Sequence, residues 1–163
     1  MTDVDYMARV QAMERKLYRV AHALLWNDAD CADAIQEAVV KGWLKRESLR
    51  NPDWLETWLT RILINECHNI QRKSRIKLLP LDEQIGLTDS SDFVEDVQLR
   101  DALRRLPEKY RLVLILHHLE GFSLDEMSDM LDVPATRLKS RLHQARSRLR
   151  VQLTQGDDTH ENA

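Results

Sequence analysis

The stretch from Leu119 to Leu149, LEGFSLDEMSDMLDVPATRLKSRLHQARSRL, constrains this chain more than any other, because it specifies two short helices around a tight turn. Ser123 followed by Glu126 forms an S-x-x-E capping box, which starts a helix by satisfying two backbone N–H groups reciprocally. Leu124, Met127 and Leu131 then share one apolar face, with Asp125, Ser128 and Asp129 turned outward. Asp132 stands where the chain reverses, in a conformation Asp tolerates better than most residues, and Val133 packs the turn. Pro134 suits the opening of a second helix, where its missing N–H costs nothing.

In that second helix Leu138, Leu142, Ala145 and Leu149 make the buried stripe. Arg137, Lys139, Ser140, Arg141, His143, Gln144, Arg146, Ser147, Arg148 and Arg150 occupy the other faces, and no acid interrupts them. Such a helix can neutralise phosphates while offering hydrogen bonds to base edges in a major groove. The plainer reading is a solvated amphipathic helix kept soluble by its cations. The capped helix and turn in front of it shift the balance toward groove reading, because the pair matches a helix-turn-helix.

The rest of the chain supports an all-α fold. With only 4 Gly and 4 Pro in 163 residues, little material is left for hairpins, and the length suits one ordinary domain or two small helical ones. The net charge of -3 looks wrong for a nucleic-acid binder until its distribution is followed. Arg61, Arg72, Lys73, Arg75 and Lys77 form one basic segment and the run after Pro134 another, while Asp82, Glu83, Asp89, Asp92, Glu95 and Asp96 crowd the stretch between.

Apolar spacing predicts a helix from Val4 to about Leu25 through Met7, Val10, Met13, Leu17, Val20 and Leu24, a second from Ala29 to about Lys45 through Ala34, Ala38, Val39 and Trp43, and a third from Trp54 to about Ser74. Arg46 to Asp53 is the polar loop before the third helix, with Pro52 at its entry. The expected organisation is two small helical domains: 1–76, an acidic linker over 77–94, a helix-turn-helix domain over 95–153, and a disordered tail over 154–163. Cys31 and Cys67 stand far apart in sequence and suggest neither a disulfide framework nor a metal cluster. Neighbours such as Cys67/His68 and His117/His118 diverge by about 100° on a helix and do not chelate together. No cofactor is implied. No signal peptide opens the chain and no apolar run approaches the ~20 residues of a membrane span, so a soluble protein of a reducing cytoplasm is expected. No Gly-rich phosphate loop, nucleophile elbow or convergent carboxylate pair suggests an enzyme.

Trp54 and Trp58 share a face of the third helix, with Asn65 about two turns on and Arg72, Lys73 and Arg75 at its end. Indoles stack on unpaired bases, an amide reads a base edge, and cations follow a strand. On this segment alone, the tryptophans serve equally as core anchors and the cations as a solvated C-terminal turn, and that is the simpler account.

Resemblance reverses that preference. DADCADAIQEAVVKGW, then WLETWLTRILINECHNIQRKSR, an acidic linker, and LRRLPEKYRLVLILHHLEGFSLDEMSDMLDVPATRLKSRLHQARSRL together resemble the extracytoplasmic-function group of bacterial RNA polymerase sigma factors, from about Tyr6 to Leu153. The most specific parts are the D-A-I-Q-E-A run from Asp33 to Ala38, the W-L-x-R-I-x-x-N run from Trp58 to Asn65, and the V-P…K-S-R-L-x-x-A-R stretch. The resemblance implies a subunit that directs core polymerase to specific promoters, recognising and opening them, with no chemistry or small-molecule substrate of its own. Asp33, Gln36 and Glu37 would dock on the clamp helices of the largest polymerase subunit, and the surface around Leu112 to His118 would meet the flap of the second-largest. The loop Glu47 to Asp53 and Asn65 would capture a flipped base of the minus-ten element, with Trp58, Arg72, Lys73 and Arg75 along the strand. Lys139, Ser140 and His143 would face base edges of the minus-thirty-five element, flanked by Arg137, Arg141 and Arg146 on phosphates. An anti-sigma factor, often membrane-bound in this group, is the further partner implied. Asp132 replaces the usual Gly of the turn and Thr136-Arg137 the common Gly-Thr, departures that bear on how the recognition helix starts. The rival readings are a free-standing helix-turn-helix regulator and a sigma mimic that sequesters an anti-sigma factor.

Overall fold

The computed structural model describes residues 1–76 and 94–161, which form two compact units, one on either side of residues 77–93. Among these residues there are eight α-helices and no strand. The linker expected over 77–94 lies outside the described residues except for Val94.

In the first unit, α1 (Asp3–Ala12) starts on Thr2, whose hydroxyl accepts from Asp5 N–H at 3.1 Å. The single helix expected from Val4 to Leu25 is broken at Met13, and α2 (Glu14–Leu24) follows at once. Met13 is itself buried, and its N–H bonds Val10 O at 3.1 Å in a tightened turn. That turn lets Tyr6 and Val10 of α1 and Leu17, Val20, Ala21 and Leu24 of α2 all reach one core. Met7, expected in the buried stripe, is 44% exposed, and Tyr6 takes the interior place.

Helix α3 (Asp28–Leu44) is capped by Asn27, whose side chain accepts from Asp30 N–H at 2.7 Å. Its buried face is Cys31, Ala34, Ala38 and Gly42, a row of small residues that draws it close to α4 (Leu55–Ile76). Trp43, expected to continue that row, lies outside it; Gly42 continues it instead. A Cβ at Gly42 would lie 2.5 Å from the Tyr6 hydroxyl and 2.9 Å from Leu59, so the approach of these helices depends on its absence. Helix α4 contributes Leu55, Leu59, Leu63, Ile64 and Cys67 to the same core, each large aliphatic side chain worth about 1.5–3 kcal/mol of burial.

In the second unit, Asp96 caps α5 (Val97–Arg105), accepting from Leu99 N–H at 3.1 Å. Pro107 separates it from α6 (Glu108–Leu114), which runs into a π-helical turn over Ile115–Leu119. Gly121, at φ 76°, then releases the chain toward α7 (Leu124–Leu131), and α8 (Ala135–Glu161) follows. Leu103, Leu106, Val113, Ile115, Leu116, Met127, Met130, Leu138, Leu142 and Ala145 form the core. The segment after Leu153, expected to be disordered, continues α8 to Glu161; Thr154 already donates to Arg150 O at 2.9 Å. Extending a formed helix adds a hydrogen bond for each residue ordered, so no separate nucleation is needed there.

Candidate nucleic-acid interface

The turn between α7 and α8 is built as the residues dictate. Glu126 N–H donates to Ser123 Oγ at 3.1 Å and Ser123 N–H to Glu126 Oε1 at 3.0 Å, completing the capping box. Asp132 takes the left-handed conformation, φ 59° and ψ 40°, and its N–H closes on Ser128 O at 2.9 Å. The substitution of Asp for Gly therefore preserves the turn. On α7 the inward pair is Met127 and Met130; Leu124 and Leu131 are half-buried, because the three-residue step from Met127 falls nearer the core than the four-residue one.

Leu138, Leu142 and Ala145 turn α8 into the core and leave Arg137, Lys139, Ser140, His143 and Arg146 exposed, with Arg141 half-buried. Ser140, His143 and Ser147 run down the outermost line of the helix. Lys139 and Arg146 lie on one flank, Arg137, Arg141 and Arg148 on the other. Two of the flanking groups are held from behind. Arg146 Nε donates to His118 Nε2 at 2.9 Å. Tyr110 donates its hydroxyl to Gln144 Oε1 at 2.9 Å, and its ring lies 4.6 Å beneath the Arg148 guanidinium. These braces were missed in sequence, since they link residues about thirty positions apart.

Leu112 to Leu116 are buried, so the surface expected there is reduced to half-buried His117 and exposed His118. Apolar residues that follow one another without a break, as these do, leave no outward face on a packed helix.

On α4, Trp58, Asn65 and Arg72 fall on one face, joined by Asn69, which accepts from the Arg72 guanidinium. Asn65, Arg72, Lys73 and Arg75 are exposed. Trp58 is half-buried beside Gly42 and Trp54 is 59% exposed, so of the two indoles one is a partial core anchor and the other a free ring. The preceding loop is pinned from below: Arg9 donates to Pro52 O at 3.0 Å, Lys16 pairs with Glu56 at 2.7 Å and Arg46 with Asp3 at 2.9 Å. Asn51 accepts from Asp53 N–H at 3.0 Å and starts the turn that enters α4. Trp58, Asn65 and Arg72 thus share one face of α4 after a held loop that carries the exposed indole of Trp54, while Lys73 and Arg75, two positions apart, point to different sides of its last turns.

Asp33, Gln36 and Glu37 are exposed on α3, on a face continued by Val40 and Leu44. Glu37 has Lys41 at 4.0 Å. Cys31 and Cys67 are both buried, and burial first, then the neighbouring Cys67, pushes the Cys31 thiol up, which keeps it protonated and unreactive. Among the described residues there is no group of three or more His, Cys, Asp or Glu side chains that could hold a metal ion, and no helix long and apolar enough to cross a membrane.

Comparison with known proteins agrees with this geometry. The family model for Sigma-70 region 2 matches residues 9–76, and that for Sigma-70, region 4 matches residues 96–149. The RNA polymerase sigma factor SigV of Bacillus subtilis is 30% identical over 146 residues, covering 88% of each chain. The ECF RNA polymerase sigma factor SigM of Mycobacterium tuberculosis is 30% identical over 137 residues, covering 83% of this chain and 70% of SigM. In fold the chain is similar to the sigma factor RpoE from Bartonella quintana, solved in complex with the anti-sigma factor NepR, with a TM-score of 0.75 at 24% identity over 92% of this chain and 97% of that one.

Proposed function

Because this chain belongs to the sigma-70 family of RNA polymerase sigma factors, in its extracytoplasmic-function group, we propose that it directs core polymerase to promoters through two separate DNA surfaces. Residues 95–153 engage the minus-thirty-five duplex. Lys139, Ser140 and His143 meet base edges there, and Arg137, Arg141 and Arg146 meet phosphates. Residues 1–76 bind the polymerase clamp through Asp33, Gln36 and Glu37. On their other face they hold the melted minus-ten strand with Trp58, Asn65, Arg72, Lys73 and Arg75. Extruding a base from a duplex costs a few kcal/mol, so opening needs a pocket and cations ready to receive the strand.

The observation that carries this reading is α8: a helix exposed on its outer faces, with no acid from Ala135 to Gln155, standing behind a capped helix and a left-handed turn. The exposed Asp33, Gln36 and Glu37 suit a basic partner. The protein works in the cytoplasm as a non-enzymatic initiation factor, and an anti-sigma factor that covers these surfaces is the natural regulator. Likeness in fold to a sigma factor crystallised with such a partner supports that last step.

The test is run-off transcription with core polymerase on the fragment upstream of the protein's own operon, comparing the native chain with Lys139→Ala/His143→Ala and with Asn65→Ala. Transcript is expected, with weaker promoter binding in the double variant and impaired opening in Asn65→Ala. A chain that neither binds core polymerase nor supports initiation, yet retards duplex DNA alone, overturns this reading in favour of a free-standing regulator.

A further inference from the structure

A π-helical turn is rare and tends to occur where a side chain must be re-aimed. Here it spans Ile115–Leu119, closed by Glu120 N–H to Ile115 O and Phe122 N–H to Leu116 O, both at 3.0 Å. It sends two consecutive histidines to different tasks. His117 is half-buried, with Nδ1 2.8 Å from Phe122 O, so it donates there. His118 is exposed and reaches α8, where its Nε2 lies 2.9 Å from Arg146 Nε. The two rings stand edge to face, 5.1 Å apart.

A guanidinium keeps all its protons, so Arg146 is the donor and His118 Nε2 the acceptor. That requires a neutral imidazole with its proton on Nδ1. Partial burial, then Arg146 and His117, hold the His118 pKa below its ordinary value and favour that neutral ring. With Nε engaged, Arg146 has its two terminal nitrogens left, and together they match two oxygens of one phosphate.

We propose that His118 is a positioning residue for promoter binding: by accepting from Arg146 Nε, it aims the outer fork of that guanidinium at a phosphate of the DNA backbone. The inference rests on the reading of Arg146 as a phosphate contact. An unrestrained arginine loses much rotamer freedom when it meets a phosphate, and one already held at Nε loses less. His118 need touch no nucleotide and brings no charge.

The experiment measures binding of reconstituted holoenzyme to a labelled duplex from upstream of the protein's own operon, over a series of salt concentrations. Four variants are compared with the native chain: Arg146→Ala, His118→Ala, His118→Gln and the His118→Ala/Arg146→Ala double. Thermal melting by circular dichroism checks that each folds. Arg146→Ala is expected to weaken binding and lower the slope of log affinity against log salt by about one. His118→Ala is expected to weaken binding about fivefold with a smaller change in slope, and to cost nothing further in the Arg146→Ala background. His118→Gln, whose amide oxygen also accepts from Arg146, is expected to recover most of the loss.

If Arg146→Ala weakens binding but His118→Ala does not, or if it costs as much without Arg146 as with it, positioning is overturned while the phosphate reading stands. The same holds if His118→Gln fails to rescue. If Arg146→Ala leaves affinity and slope unchanged, the phosphate reading itself falls, and the role of His118 falls with it.

Discussion

The ammonium of Lys41 on α3 lies 2.5 Å from Oε1 of Glu66 on α4, tying together the two helices that carry the residues proposed to meet polymerase and the melted strand. Glu66 is buried and Lys41 half-exposed, so the two ends of the bond are not equivalent. Lys41→Met would strand a desolvated carboxylate, whereas Glu66→Gln keeps an amide oxygen to accept the bond. Lys41→Met is therefore expected to lower the urea midpoint more than Glu66→Gln. All four tryptophans, Trp26, Trp43, Trp54 and Trp58, lie in the first unit, so indole fluorescence follows its unfolding separately from the second.

Gly42 offers a sharper test of how closely α3 and α4 approach. A methyl group there would press on the Tyr6 hydroxyl, which donates to Val39 O at 2.7 Å, and on the Leu59 side chain. Helix propensity alone favours alanine over glycine by roughly 1 kcal/mol. Overpacking is expected to outweigh that gain, leaving Gly42→Ala destabilised by about 1–2 kcal/mol in a fluorescence-monitored urea titration. A stabilised Gly42→Ala would mean that the helices separate without cost.

What was legible in the sequence was mostly local. The Ser123/Glu126 box, the reversal at Asp132 and the stripe of Leu138, Leu142, Ala145 and Leu149 depend on residues within a turn or two of each other, and all stand in the structure except that Leu149, at the far end of the stripe, is only half-buried. The exposure of the cations on α8 followed from the same spacing. The break at Met13 was hidden because an apolar stripe reads the same through a tightened turn as through a straight helix. The π-helical turn was hidden because Leu112 to Leu116 are apolar throughout and show no period. Gly42 and the His118–Arg146 bond depend on helices that sequence spacing does not pair, and there only tertiary packing decides.

Tyr6 gives the first unit a dependence on alkaline pH. Burial pushes its phenol up from 10.0 to about 12, so folded protein holds the proton that unfolded chain releases. The stability it contributes is fully present below pH 10 and is lost as pH rises through about 12. Lys41 has the same sign: its bond to Glu66 raises its pKa, and that contribution also drains away above the ordinary lysine value. Absorbance at the tyrosinate band should show one phenol titrating late, together with the loss of the native tryptophan signal. Tyr6→Phe should remove the late phenol and weaken the alkaline decline, while costing about 1 kcal/mol at neutral pH for the lost bond to Val39 O. An alkaline decline identical in Tyr6→Phe would place its origin elsewhere.

Asp132 separates backbone conformation from DNA recognition. With φ at 59°, this residue sits where a Cβ is crowded by the following carbonyl, a strain Asp bears better than most and a β-branched residue bears badly. Asp132→Val is thus expected to destabilise the second unit by about 1–2 kcal/mol. Asp132→Gly removes the crowding but adds freedom to the unfolded chain, so its net effect should stay within about 0.5 kcal/mol of the native protein. The left-handed turn is already formed with Asp in place, so the start of α8 does not depend on glycine. Holoenzyme carrying Asp132→Gly should therefore bind its promoter duplex within about twofold of native affinity, a change of under 0.5 kcal/mol. A larger change with unaltered melting would show that Asp132 sets the angle of the recognition helix rather than merely tolerating the turn.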